Sequence, residues 1–183
     1  DLGSEEQLVL GGSGPLGRPV SIQKRHFQNR MVREGDQFSL LIEANGPGGM
    51  YTEIGRIFFV GKVPSELNDA FEMAKEIQKA TLRLLKPGAD PKEIWKAHND
   101  LLEKKGVLAE TRAYAHGQGY DLVERPLIRD DEPMKLKAKM NITVHPTVGS
   151  DRVWVWVCDN YLINESGVSE CLHQTPKEIF SVG

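Results

Sequence analysis

Cysteine is scarce in this chain: Cys158 and Cys171 are the only two in 183 residues, and they form no CxxC pair. A disulfide framework, a thioredoxin-type redox motif or a zinc knuckle needs more thiols, or closer ones, so a reducing compartment is expected. Long apolar runs are missing too. No stretch approaches the roughly 20 residues of a membrane-spanning helix. No basic, then apolar, then small-residue leader is present, so a cytoplasmic protein with no membrane partner is expected. The 23 lysines and arginines stand against 26 acidic residues, for a net charge of −3, and gather into no basic block. That leaves nothing to track phosphates, so nucleic acid is not an expected partner and small or neutral substrates fit better.

What is present supports a core. Hydrophobic residues make up 39% of the chain, enough for one globular domain over residues 1–183. A short strand is expected at Val20–Ile22 and another at Gln37–Asn45, after a Glu34-Gly35-Asp36 turn. The glycine turn "NGPGG" then leads into Met50–Val60, completing a hairpin. Beyond Pro64, with Ser65 as N-cap, Leu67, Ala70, Phe71, Ala74, Ile77, Thr81 and Leu84 recur at helical spacing until Pro87-Gly88. Asp90, Pro91 and Glu93 take N-cap, first-turn and capping-box positions of a second helix that Gly106 ends. His98 lies on that helix's apolar face with Ile94, Trp95, Leu101 and Leu102, and reads as a packed histidine with a local partner. From Met140 the text turns strand-like again, with Val153, Val155 and Val157 alternating against Trp154, Trp156 and Cys158. Strands, two helices and strands, with no internal repeat, fit an α+β arrangement of a curved antiparallel sheet covered by helices.

The chemistry concentrates in "RAYAHGQGYDLVERP", residues 112–126. His116 is expected in a glycine-bracketed turn, with Gly117 and Gly119 allowing close approach to the main chain and Glu124 following. "GQG" is not a phosphate motif, because it lacks the glycine spacing and strand-to-helix context of one. Trp154 and Trp156 read as packing or interface residues.

Six segments in order resemble the creatinase, prolidase and methionine aminopeptidase family: "REGDQF" (33–38), "MYTEIGRIFFVG" (50–61), "LLKPGADPKEIW" (84–95), "AHGQGYDLVERP" (115–126), "KMNITVHPTV" (139–148) and "DNYLINESGVSECL" (159–172). The resemblance implies the pita-bread fold, with the chain as the carboxy-terminal part of a catalytic domain whose amino-terminal part is absent. In metal-dependent members two aspartates, a histidine and two glutamates hold two divalent ions. Carried over, the first aspartate falls near Leu41, with Glu43 the nearest acid; Glu53 stands at the second, His116 at the histidine, His145 at the first glutamate and Cys158 at the second. Only the histidine is unchanged. Bridging carboxylates supply two oxygens and a charge, which a neutral imidazole and a thiol do not, so no metal ligand is assigned and no cofactor is expected. A single zinc on Glu53, His116 and His145, with or without Cys158, is the chemical alternative; otherwise Cys158 reads as a buried strand residue. In the creatinase branch, which hydrolyses a carbon–nitrogen bond without metal, the general-base histidine aligns near Lys24 and His26, and a second histidine falls on Val123, beside the retained acid Glu124.

The expected catalytic set is therefore His116, His145, Glu53 and Glu124, histidines exchanging protons near neutral pH beside carboxylates that orient them. Tyr51, Arg112, Tyr114 and Tyr120 are expected to bind a small polar or short peptide-like substrate, arginine suiting a carboxylate. The function implied is a metal-independent, creatinase-like hydrolase of a carbon–nitrogen bond. The alternatives are a catalytically inactive pita-bread domain used for binding or assembly, and an Xaa-Pro peptidase-like metallohydrolase with an altered metal site. The opening at Asp1 further implies a partner, either a complementary amino-terminal fragment or another subunit in a homo-oligomer such as a dimer.

Overall fold

The computed structural model describes residues 3–4, 6–22 and 28–183, with the backbone alone at 168–170. Lys24 and His26 lie outside the described residues. Three long strands follow the alternation of the sequence: β1 (Gln7–Pro15), β2 (Asp36–Asn45) and β3 (Tyr51–Val60). β2 and β3 form the expected antiparallel hairpin, in which Gly48 and Gly49 adopt φ of 88° and 81°, left-handed values open to glycine without a Cβ penalty. β1 pairs with β2 over its whole length. The Val20–Ile22 strand does not form. Both residues are buried, and Val20 O accepts from Ser39 Oγ at 2.9 Å, but the edge of β2 is already taken by β1.

Two helices follow, α1 (Ser65–Leu82) and α2 (Pro91–Lys104). α1 buries Leu67, Ala70, Phe71, Ala74 and Ile77, as the helical spacing requires. Its N-cap is Pro64 rather than Ser65, and no side chain caps it; Ser65 is already inside the first turn. Asp90 caps α2 as expected, accepting from Lys92 N at 3.0 Å, with Pro91 in the first turn where its missing N–H costs nothing.

The remaining strands are β4 (Ala115–Gly117), β5 (Glu124–Leu127), β6 (Asn141–Val144), β7 (Thr147–Gly149), β8 (Trp154–Trp156), β9 (Asp159–Asn164), β10 (Gly167–Cys171) and β11 (Ile179–Val182). One sheet runs β1-β2-β3-β11, with β11 parallel to β3; a second runs β10-β9-β6-β4-β5, all antiparallel; β7 and β8 form a two-stranded ribbon. An α+β fold is thus present, its antiparallel surface divided into two sheets joined by a bridge between Gly55 and Cys158. The core under α1 takes in Phe71, Ile77, Val155 and Trp156, and a second cluster gathers Leu85, Ile94, Tyr114, Ile128 and Ile142. Trp156 is buried and Trp154 packs against it at 5.8 Å between ring centroids, so the two tryptophans serve packing.

Candidate active site

The site lies where the two sheets meet. In the β2–β3 hairpin Glu43 stands directly opposite Glu53, so both carboxylates project from one face. His116 does not sit in a turn. It belongs to β4, paired with Thr143 of β6, and a register shift against β5 falls between His116 and Gly117. Such a bulge re-aims a side chain. His145 follows β6, its N–H donating to Tyr114 O at 2.9 Å, and Cys158 precedes β9, locked to Gly55 by two backbone bonds of 3.1 and 3.3 Å.

One donor atom from each of Glu53, His116 and His145 lies within 4.8 Å of the other two, and the histidine ring centroids are 5.3 Å apart. His116 Nδ1 is 2.9 Å from Gly117 O. A carbonyl only accepts, so Nδ1 carries the proton and the Nε2 lone pair faces Glu53 Oε2 at 3.6 Å. Burial raises Glu53 to about 8, reinforced by the charge of Glu43. Burial likewise lowers His116, and lowers His145 further with help from its neighbour His116. Both shifts favour neutral forms, so the 3.6 Å contact is not an ion pair near neutral pH. Cys158 is fully buried, with Sγ 3.1 Å from Glu53 Oε1, and burial followed by the Glu53 charge pushes its thiol well up. Asn160 accepts from Glu53 N at 2.6 Å and His173 Nε2 lies 2.9 Å from Glu53 O, fixing the strand beneath the carboxylate.

These groups open on a cleft of about 370 Å³ whose apolar wall includes Leu10, Leu41, Val123 and Trp156 and whose polar lining adds Glu43 and Arg112. Four of the eight residues expected at the site, His116, His145, Glu53 and Arg112, meet there. The other four are placed elsewhere. Glu124 accepts from Tyr120 N and Asp121 N at 2.6 and 3.0 Å, closing the loop after β4, because those two amides need an acceptor. Tyr51 is buried with its hydroxyl on the Glu6 carboxylate. Tyr114 stacks flat on His98 at 3.6 Å between centroids, the partner of that helix histidine being a ring. Tyr120 is 72% exposed, beside a second, smaller cleft. The apolar wall went unread in the sequence, although strand alternation already puts Leu41 and Glu43 on one face of β2. Thr143, Asn160 and His173 carry no local signal, since only the pairing of remote strands brings them in.

The donor set does not fit a carboxylate-bridged pair of ions, since His145 and Cys158 occupy two of the carboxylate places that the resemblance implies. It does fit one. Two imidazoles and a carboxylate are the protein ligands of many catalytic zinc sites, and the His116 tautomer leaves Nε2 ready to bind. Metal independence therefore finds no support in this cluster.

Comparison with known proteins agrees with the fold. The chain is 26% identical over 177 residues to the probable dipeptidase PepE of Mycobacterium bovis, covering 93% of this chain and 46% of that protein. It is 27% identical over 130 residues to the Xaa-Pro dipeptidase of Pyrococcus furiosus, covering 70% and 37%. The solved dipeptidase PepE from Mycobacterium ulcerans superposes with a TM-score of 0.83 at 23% identity, over 98% of this chain and 48% of that one. An X-Pro aminopeptidase from Thermotoga maritima gives 0.83 at 21%, over 98% and 51%. The chain thus spans about half the length, or less, of these relatives. Among described residues no helix is long and apolar enough to cross a membrane. Residues 14–165 match metallopeptidase family M24, and the chain belongs to that family.

Proposed function

We propose that this domain contributes the hydrolytic centre of an M24-type peptidase-like enzyme, built on a single divalent cation held by Glu53, His116 and His145. The convergence of those three donors within 4.8 Å at the bottom of the cleft carries the reading. A bound cation of this class polarises a carbonyl and makes water a stronger nucleophile. The protein's own groups do the rest. Glu43, opposite Glu53 on the same face, is the carboxylate placed to take a proton from water and pass it to the departing amide nitrogen. Arg112 on the rim meets a substrate carboxylate, and Leu10, Leu41 and Trp156 exclude water around an apolar side chain. The substrate class is a short peptide or a small polar amide.

Calorimetric titration with zinc tests this. We expect about one ion per chain, and at least about tenfold weaker binding for His116→Ala and for His145→Ala, with unchanged circular dichroism. A chelator should abolish any dipeptide hydrolysis. No binding to the wild type, or equal binding after both substitutions, would sink the reading. The second reading is a binding domain without turnover, favoured by His145 and Cys158 standing where the family resemblance implies carboxylates; ligand binding that persists in chelator, with no hydrolysis, would select it. Association with a second copy or a complementary polypeptide belongs to the same proposal. A monomer in light scattering, unchanged on dilution, counts against that part.

A further inference from the structure

Cys158 lies outside the converging donors yet touches one of them. The two oxygens of Glu53 have different neighbours: Oε1 has Cys158 Sγ at 3.1 Å, and Oε2 has His116 Nε2 at 3.6 Å. Sγ has a second contact, Thr143 Oγ1 at 3.4 Å. With the His116 Nε2 lone pair facing Oε2, the proton of a neutral Glu53 sits on Oε2 and Oε1 accepts, as both oxygens do once the carboxyl is ionised. The thiol proton then points at Oε1, while Thr143, whose hydroxyl also bonds the Glu53 carboxyl, closes on Sγ from the other side.

The sulfur is held firmly for this. Besides its two backbone bonds to Gly55, Cys158 O accepts from Arg56 Nη1 at 2.9 Å. A methyl at Gly55 would come within 2.8 Å of Cys158 Cβ, so the glycine is what lets β3 and Cys158 approach this closely. Glu53 is fixed at its backbone by Asn160 and His173, which leaves its side-chain rotation as the remaining freedom. A thiol on one oxygen removes it.

We propose that Cys158 is a positioning residue: its S–H holds Oε1 of Glu53 and thereby presents Oε2 to His116 and His145, without Cys158 joining the cation's ligands. The role rests on the single-cation reading above. Outer partners that orient a ligating side chain are worth about 10- to 100-fold in metal affinity.

Two measurements test it. On the metal-free chain, the infrared difference between wild type and Cys158→Ser isolates the Cys158 S–H stretch, expected at lower frequency than a free thiol. A band at the free-thiol position overturns the contact whatever the metal does. In cobalt(II) titrations, Cys158→Ala should bind about 10- to 100-fold more weakly, and Cys158→Ser, which keeps an O–H donor, should recover most of the affinity. The wild type should show no thiolate-to-cobalt charge-transfer band. Such a band, lost in Cys158→Ser, would make Cys158 a ligand and overturn the role. Unchanged affinity in Cys158→Ala overturns it alone, whereas a wild type that binds no cobalt overturns the cation centre and the role together.

Discussion

Burial sets the state of His98, His116, His145 and His173. His98 is fully buried on α2 against Tyr114, with no hydrogen-bond partner for either ring nitrogen among the described residues. Burial pushes it from 6.5 down to about 3. Between those values the unfolded chain takes up a proton that the folded chain refuses, so stability is whole above pH 6.5 and falls with acid toward pH 3. The slope approaches about 1.4 kcal/mol per pH unit for one such group. Urea unfolding at pH 7 and pH 5 should show a smaller acid loss for His98→Phe, which keeps the stack, than for wild type. His116 and His145, also lowered, leave a residual slope, and equal losses in both proteins would clear His98. The sequence marked His98 as a packed helix residue through its place on the apolar face. What it packs on could not be read, because Tyr114 is brought against it by tertiary structure.

Among the elements, the loop after β4 and the β3–β9 junction make separate demands. Glu124 closes the loop with two backbone amides, so Glu124→Ala should cost about 1 to 2 kcal/mol of stability and leave cation affinity at the triad unaltered. A drop in affinity matching that of His116→Ala would return Glu124 to the site. Gly55 packs without a side chain where a Cβ would lie 2.5 Å from Trp156 Cζ2 and 2.8 Å from Cys158 Cβ. Gly55→Ala should destabilise by roughly 1 to 3 kcal/mol through overpacking, read as a lower denaturation midpoint. The long helices and the β2–β3 hairpin were legible because their periodicities run for two or more turns or pairs. β4, three residues long, has no period to read, which is why His116 was expected in a turn.

At the scale of the whole molecule, a buried ion pair ties the two sheets together. Arg56 of β3 meets Asp159 of β9 at 2.7 Å, the two side chains 4% and 0% exposed. The same guanidinium donates to Thr175 O and Pro176 O, each at 2.9 Å, which holds the segment leading to β11. A buried pair adds little net stability when intact, but losing one partner strands the other charge. Asp159→Ala should therefore destabilise by about 3 kcal/mol or more in equilibrium denaturation, a change under about 1 kcal/mol showing the guanidinium to be satisfied by carbonyls alone.

Length, alternation and helical spacing determined the α+β class, the hairpin and both helices, since each depends on residues near one another in the chain, and six segments in order carried the family resemblance. The sequence also singled out His116, His145, Glu53 and Arg112. Only the tertiary structure decided that these share a cleft while Glu124, Tyr51, Tyr114 and Tyr120 do not. Register explains the division. A residue's place along a strand follows from its neighbours, but whether it reaches the cleft depends on which remote strand pairs with it, as His116 does with Thr143 and Thr143 with Asn160. A one-residue slip would turn every side chain of such a strand to the opposite face.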